Sequence, residues 1–368
     1  MWSRISGFLA GETALFAFTG LISDALGLSS LSARARNWLG AACMIGFVFG
    51  SPMLLLLASP SIYNEAFIWA FGWSMASLFF GLRCRNAAGR GLMVSLVAFS
   101  LCASAALLSR VTFGAPLLLV ALLLALRLPR ANRLRLLAAL FVPLGTGLAF
   151  YLLLSYARFG NFVGTSFDHY INSVHREFVH KYGIFSLRRV PYSLADYFGL
   201  SLPSIQTQVP FLKADRHFFA HPQLYSLSSS ETYLSVPWAS SWLLAGAILG
   251  VICLLRRNCA DLFERGATVA FALQCLCILS FYNLSERYSL DLYPFLIFCL
   301  LVFLRSGGTF LTRTYRVIIG LVLVSITINS LATVSWLVDS DQNVRPETRA
   351  IWNRFLGRSS PGATSESK

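Results

Sequence analysis

Several ionisable residues in this sequence stand at the ends of long uncharged runs, where a charged side chain would meet a membrane–water boundary. They are Glu65 in Ile62-Tyr63-Asn64-Glu65, Arg110, Arg158 in Tyr156-Ala157-Arg158-Phe159-Gly160-Asn161, and Glu286, Arg287, Tyr288 and Asp291 ahead of Pro294. A guanidinium can bind phosphate through two hydrogen bonds, and a carboxylate can accept a proton from a hydroxyl. These residues therefore indicate either simple anchors that end membrane spans or a site for an anionic lipid head group.

The other familiar kinds of site are not indicated. All five histidines fall in one polar segment, at His169, His175, His180, His217 and His221. His217 and His221 have HxxxH spacing, but the glutamate of an HExxH motif is absent. Metal ligation by these histidines is therefore not predicted. There is no glycine-rich phosphate loop, no GxSxG motif and no dinucleotide-binding fingerprint. The eight cysteines have no framework spacing, and we interpret them as small apolar residues.

The composition limits the class of protein. Of the 368 residues, 56% are hydrophobic and 12% are charged, and the mean hydropathy is +0.64. A soluble domain carries about 25% charged residues, so a water-soluble enzyme and a disordered chain are both excluded. The net charge of +14 could indicate nucleic acid binding, but basic membrane-flanking loops explain it more simply. No nucleic acid partner is predicted.

The chain reads as an all-α polytopic membrane protein. A membrane helix needs about 20 mostly apolar residues, and windows of about that size predict about ten transmembrane helices. Eight of these windows are uncharged between their ends, whereas the first carries Glu12 and Asp24 and the ninth carries Asp291 near its start. The windows are residues 5–28, 36–65, 65–83, 90–110, 110–127, 135–158, 231–256, 265–286, 288–304 and 316–339. The predicted organisation is six spans in 1–156, one large loop in 157–235, four spans in 236–338 and a polar tail in 339–368, disordered beyond about Gly357.

Arginines in alternate loops predict the orientation. One set of loops is basic, at Arg34 and Arg36, Arg83 to Arg90, Arg127 to Arg135, Arg256 to Arg265, and Arg305 to Arg316. The positive-inside rule assigns these loops to the cytoplasm, so the 157–235 loop is predicted to be extracytoplasmic on a cell (inner) membrane. Within that loop, Phe167, Tyr170, Ile171, Val174 and Phe178 form a helical stripe opposite Arg176, Glu177 and His180. We expect an interfacial helix there, lying on the membrane.

Three stretches on the predicted outer side resemble the multi-pass glycosyltransferases of the GT-C superfamily, which include protein O-mannosyltransferases and aminoarabinose transferases of lipid A. The segment Ala58-Ser59-Pro60-Ser61-Ile62-Tyr63-Asn64-Glu65-Ala66 is similar to an outer loop whose acidic residue precedes a span. Arg158-Phe159-Gly160-Asn161 with Gly164 is similar to the entry of the family's large outer loop. Glu286-Arg287-Tyr288 through Pro294 is similar to the start of a late span.

This resemblance implies a sugar transferase. The donor would be a polyprenyl-phosphate-linked sugar, and the acceptor would be a lipid, glycan or protein on the extracytoplasmic face. Some family members also use a divalent metal, for which this sequence shows no ligand set. Transfer needs cations where the leaving phosphate gains charge and a base for the acceptor hydroxyl. On the resemblance, Arg287, Tyr288, Arg158 and Arg110 would bind the donor phosphate, and Glu65 would be the catalytic carboxylate.

The start of the chain departs from the family pattern. The family's catalytic acidic motif lies in a first outer loop, and this sequence begins after the position of that loop. We therefore expect a shortened or inactive member that transfers sugar poorly or not at all. Two further hypotheses stay open, a transporter or flippase for a lipid-linked sugar and a non-catalytic membrane subunit. Movement of intact lipid without sugar transfer would favour the flippase.

Overall fold

The computed structural model describes most of the chain. It covers residues 2–58, 61–130, 132–162, 168, 172–199, 203–213, 223–226, 234–256, 261–306, 308–339 and 344–358. Several predicted features fall outside these residues, namely Ser59, Pro60, Gly164, the stripe residues Phe167, Tyr170 and Ile171, the histidines at 169, 217 and 221, and the last ten residues of the tail.

The described residues form helices joined by short connections, with one small hairpin. The helices are α1 (Trp2–Gly27), α2 (Ala33–Phe49), α3 (Met53–Ala58), α4 (Ile62–Arg83), α5 (Gly89–Ser109), α6 (Val111–Arg127), α7 (Arg133–Phe159), α8 (Ser173–Tyr182), α9 (Val190–Phe198), α10 (Val236–Ala239), α11 (Ser241–Leu255), α12 (Leu262–Leu279), α13 (Glu286–Ser289), α14 (Tyr293–Ser306), α15 (Gly308–Asp339) and α16 (Pro346–Phe355). The hairpin pairs β1 (Ser204–Ile205) with β2 (Leu212–Lys213) in antiparallel register.

The all-α membrane class is confirmed, whereas the count of ten spans stays a prediction. Seven helical segments are long and apolar enough to cross a bilayer: Ile5–Gly27, Ile62–Arg83, Gly89–Ser109, Arg133–Phe159, Leu262–Leu279, Glu286–Ser306 and Gly308–Asp339. The other three predicted spans are helical but shorter. Two of them are α6 and α11, and the third is divided into α2 and α3. Gly50, Ser51 and Pro52 separate these two helices, and proline cannot continue the backbone hydrogen bonding of α2.

The segment that contains α14 lies at the centre of the bundle. In Glu286–Ser306, 83% of the apolar window is buried, against 28% for α7. Close packing of α11 on α14 depends on Gly250, because a side chain there would meet the backbone carbonyl of Cys299. Small residues at such contacts let membrane helices approach closely. The residues just before α14 are therefore held by neighbours on several sides.

Four of the five basic loops meet at one end of the bundle through ion pairs. Arg85 contacts Asp261 at 2.7 Å and Glu264 at 2.8 Å, Arg127 contacts Asp261 at 3.1 Å, and Arg305 also pairs with Glu264. Burial alone would raise the pKa of Asp261, but the Glu264 backbone N–H and the two arginines outweigh it and lower that pKa. Ser30 and Gly308 connect the remaining loop to the same end. This grouping agrees with the alternation of basic loops in the sequence; the membrane face they occupy stays a prediction.

The interfacial helix differs from its prediction. The described helix, α8, is Ser173–Tyr182, and its buried residues are His175 and Val179, while Val174 is 53% exposed. The ring of Phe178 lies 6.2 Å from that of Tyr282, and the ring of His175 lies 5.6 Å from it. The buried face is thus shifted by about one residue from the predicted stripe, because α8 packs on the protein next to α12.

Arg189 fastens the described part of the 157–235 loop to the helical bundle. We refer to this part as the outer segment, after its predicted side of the membrane. The residue is 1% exposed and donates five hydrogen bonds to backbone carbonyls, those of Leu224, Ile184, Ser280, Tyr182 and Gly183. Ser280 directly follows α12, so the guanidinium joins the outer segment to a membrane helix. A fixed fork of five N–H groups is what Arg offers and Lys does not.

Part of the polar tail, which was predicted to be disordered beyond about Gly357, is helical. Residues 346–355 form α16, an amphipathic helix that begins at Pro346 and packs on α15. Arg358 reaches back to Asp339 with an N–O distance of 3.0 Å. A proline at the first helical position favours this start, a signal that the polar composition concealed.

Candidate functional site

The candidate site lies at the end of the bundle opposite the basic ion-pair network. There the start of α4, the α5–α6 junction and the residues before α14 come together. Arg110 is the residue that joins α5 to α6, and its backbone is extended at this junction. Its Nε donates to the Thr112 hydroxyl at 2.9 Å, which fixes the direction of the guanidinium.

Arg110 is held by a buried carboxylate and an aromatic face. Asp291 is fully buried, and its Oδ2 lies 3.4 Å from Arg110 Nε. The guanidinium carbon also lies 3.7 Å from the centre of the Phe67 ring and 5.3 Å from that of Tyr288. Cation–π contacts at these distances are favourable, more so away from water. Arg110 is thus charge-balanced and oriented before any ligand arrives.

Arg287 lies beside Arg110 on the same aromatic surface. Its guanidinium carbon is 5.6 Å from the centre of the Tyr63 ring and 5.4 Å from that of Tyr288. Tyr288 packs edge-on against Phe67 at 5.4 Å, and Tyr288 is the ring that both arginines contact. We refer to Tyr63, Phe67, Arg110, Arg287 and Tyr288 as the arginine–aromatic cluster. Three of its members, Arg110, Arg287 and Tyr288, belong to the predicted set of phosphate ligands.

The structure does not bring Glu65 or Arg158 into this cluster. Glu65 is in the first turn of α4, two residues from both Tyr63 and Phe67. Because a helical residue turns by about 100°, Glu65 lies about 160–200° around the helix from those two rings. Arg158 is exposed in the last turn of α7, and no described contact links it to the cluster. The catalytic and phosphate-binding roles of these two residues stay predictions.

Glu286 is a buried carboxylate beside the cluster for which sequence reasoning gave no role. Its Oε2 accepts a hydrogen bond of 2.7 Å from the Leu234 backbone N–H. Its other oxygen, Oε1, has no hydrogen-bond partner among the described residues, although the side chain is 4% exposed. Adjacent Ser285 exchanges hydrogen bonds of 3.2 Å with the Tyr197 hydroxyl. The position of Glu286 next to Arg287 was visible in the sequence, but its burial depends on the outer segment.

Burial shifts the pKa values of two side chains of the outer segment, His175 and Tyr225. Burial lowers the pKa of His175, whose ring packs on that of Tyr282. Burial also raises the pKa of Tyr225 to about 12, and its hydroxyl shares a 2.8 Å hydrogen bond with Ser193. Both side chains are parts of the packing that covers the site.

The described residues hold no group of three histidine, cysteine, aspartate or glutamate side chains that could bind a metal ion. The chemistry available in the cluster is instead that of two arginines on aromatic rings, with the buried acids Asp291 and Glu286 beside them. Such an arrangement can bind an anion at the membrane–water boundary, because a fixed guanidinium offers two parallel N–H donors. Phosphate matches that geometry.

Comparison of the chain with models of protein families, with curated proteins and with solved structures finds no match to any of them. The class defined by the fold is an all-α, multi-pass membrane protein. Below that class, the likeness to the GT-C glycosyltransferases rests on the three sequence stretches.

Proposed function

We propose that this chain transfers a sugar from a polyprenyl-phosphate donor to an acceptor on the extracytoplasmic face of the membrane. The observation that supports the proposal is the convergence of Arg110, Arg287 and Tyr288 at one end of the bundle. Arg287 and Tyr288 come from one of the stretches that resemble the GT-C family, the one from Glu286 to Pro294, and Arg110 lies beside that stretch in space. Their side chains fit the lipid phosphate, which is the part that all polyprenyl-phosphate sugar donors share.

The two arginines have different tasks in this proposal. Arg110 is balanced by Asp291 at 3.4 Å and keeps the aromatic surface in place. Arg287 contacts the donor phosphate at the membrane surface. During transfer, the bond between the sugar carbon and the phosphate oxygen breaks, its electron pair goes to the phosphate, and the acceptor oxygen bonds to the sugar. A fixed guanidinium stabilises the charge gained by the phosphate.

The acceptor hydroxyl must also lose a proton, and Glu65 is the base that the family resemblance favours. The helical geometry separates Glu65 from the cluster, so its role needs a test independent of phosphate binding. Glu286 lies on the cluster side, but one of its oxygens already accepts a hydrogen bond from Leu234. Binding and turnover must therefore be measured separately.

The test of donor binding compares Arg287→Lys with Arg188→Lys in the purified chain. Arg188 is an exposed arginine of the outer segment, which makes it a matched control for the same substitution. Radiolabelled polyprenyl phosphate is the probe, because it is the common part of all such donors. We expect about tenfold weaker binding for Arg287→Lys, which keeps the charge but loses the bidentate fork, and unchanged binding for Arg188→Lys. Equal affinity in both variants would remove the phosphate role of Arg287.

The test of transfer uses proteoliposomes loaded with polyprenyl-phosphate sugars, with release of polyprenyl phosphate as the readout. Because the sequence predicts that this chain transfers sugar poorly, the release rate of the parent is measured first. Glu65→Gln should leave the affinity for polyprenyl phosphate unchanged and lower that rate by about 10²–10⁴-fold, as expected on loss of a general base. If the intact donor crosses the bilayer while no sugar is released, the chain is a transporter and the proposal is wrong. If Glu65→Gln transfers sugar at the parent rate, another group is the base.

A further inference from the structure

A second candidate site lies at the other end of the bundle, far from the arginine–aromatic cluster. A cavity of about 1160 Å³ opens between the ends of α1, α4, α5 and α14, next to the first turn of α12. Ligand pockets for small molecules usually have about 300–1,000 Å³. This cavity has room for a polar head group together with part of an apolar chain.

The lining of the cavity changes from charged to apolar with depth. Arg83, Arg85, Arg90 and Arg305 stand around it with Asp24 and Glu264, and its inner wall includes Phe80 and Phe298. Phe298 and Arg305 are seven residues apart on α14, which corresponds to about 10 Å along a helix. A molecule that fits this gradient has an anionic head and an apolar tail.

The charges of the cavity are only partly balanced within the protein. Arg85 and Arg305 both pair with the Glu264 carboxylate, whose side chain is 2% exposed. Arg83 lies over the Phe79 ring at 5.1 Å, and Arg90 is exposed in the first turn of α5. With Asp24 as the other lining carboxylate, arginines exceed acids by two. Arg83 and Arg90 therefore supply the positive potential that a bound anion would meet.

We propose that this cavity binds an anionic phospholipid, with its phosphate between Arg83 and Arg90 and an acyl chain against the inner wall. The basic loops place this end on the cytoplasmic side by the positive-inside rule. That leaflet is the one rich in anionic lipids, and basic pockets between membrane helices on that side bind such head groups. The proposal is independent of sugar transfer, because none of these residues belongs to the arginine–aromatic cluster.

The experiment measures binding of phosphatidylglycerol to the purified chain in phosphatidylcholine nanodiscs. Arg83→Gln/Arg90→Gln is compared with Arg133→Gln/Arg135→Gln, which removes two exposed arginines from the same end without touching the cavity. We expect about 30-fold weaker binding for the first pair, since each arginine near an anionic head group contributes about fivefold. The second pair should bind as the parent does. An equal loss in both pairs would show a diffuse surface potential and overturn the site.

A further variant tests the apolar wall. Val94 lines the cavity and is 58% exposed, so Val94→Trp should fill part of it without disturbing the core. We expect this variant to lose phosphatidylglycerol while keeping its net charge and its melting temperature. Parent-like binding by Val94→Trp would contradict the acyl-chain part of the proposal.

Competition distinguishes the sources of phosphate. Glycerol phosphate and inorganic phosphate should compete at least 100-fold more weakly than phosphatidylglycerol, because neither has a chain to bury. Competition by inorganic phosphate at the same concentration as the lipid would make this a site for a free anion. Polyprenyl phosphate that binds here more than tenfold tighter than phosphatidylglycerol would likewise overturn the phospholipid assignment.

Discussion

The pairing of Asp291 shows how single residues in this membrane protein take partners that sequence spacing does not indicate. Arg287 and Asp291 are four residues apart, and on a regular helix that spacing places them on one face. The residues Leu290–Leu292 instead form a tighter 3-10 turn between α13 and α14. The i,i+4 relation is lost in such a turn, and Asp291 pairs with Arg110 from a distant part of the chain.

The Arg110–Asp291 pair should be strongly coupled. Arg110→Gln leaves a fully buried carboxylate without its cation, so we expect a loss of about 3 kcal/mol in the free energy of unfolding. Asp291→Asn should cost a similar amount, and the double variant should cost clearly less than the sum, with a coupling of about 1–3 kcal/mol. Unfolding in detergent monitors all three variants. The exposed Arg158→Gln serves as the control, within about 0.5 kcal/mol of the parent.

Additive losses in this cycle would contradict the ion pair. They would mean that Arg110 is held by Phe67 and Tyr288 alone and that Asp291 has another role. A large coupling would support the division of tasks proposed above, in which Arg110 orients the cluster.

At the scale of elements, regular helices were easier to predict than the segment between them. The apolar windows located every long helix among the described residues, because about 20 mostly apolar residues are what a bilayer requires. α12 begins with a capping box, in which Asp261 and Glu264 each accept a hydrogen bond from the other's backbone N–H, a signal that the sequence analysis did not use. The packing of residues 172–199 on the bundle could not be predicted, because it depends on hydrogen bonds from Arg189 to carbonyls that are far apart in sequence.

Arg189 should be required to keep that segment docked. Lys has three N–H donors on a flexible stem and cannot satisfy the five carbonyls, so Arg189→Lys should cost about 2–3 kcal/mol of local stability. Hydrogen exchange reports this directly at Ser186 and Ser226, whose N–H groups bond to the carbonyls of Ser280 and Tyr282. We expect these two amides to exchange about 30–100-fold faster. The adjacent, exposed Arg188→Lys should leave both rates unchanged, and equal rates in the two variants would refute the fastening role.

At the scale of the whole molecule, the two ends of the bundle carry different charge chemistry. The ion-pair network of Arg85, Asp261 and Glu264 lies at one end, and the arginine–aromatic cluster lies at the other. Sequence reasoning predicted Arg85 in a loop on one side of the membrane, and Arg110 and Arg287 at span ends on the other side. It could not predict the phospholipid cavity, because the lining residues come from five helices and only packing brings them together.

The basic end of the bundle predicts the orientation of the whole chain in the membrane. Reporter fusions after Arg130 should be cytoplasmic, and fusions at Ser228 should be exported, because α7 is the long helix that separates the two positions. Ser360 should also be exported, since α15 begins at the basic end and runs away from it. A phosphatase that is active only after export and a fluorescent protein that matures only in the cytoplasm give opposite readouts at each site. An exported reporter at Arg130 with a cytoplasmic one at Ser228 would invert the protein, place the arginine–aromatic cluster on the cytoplasmic side, and remove the basis for an extracytoplasmic sugar transferase.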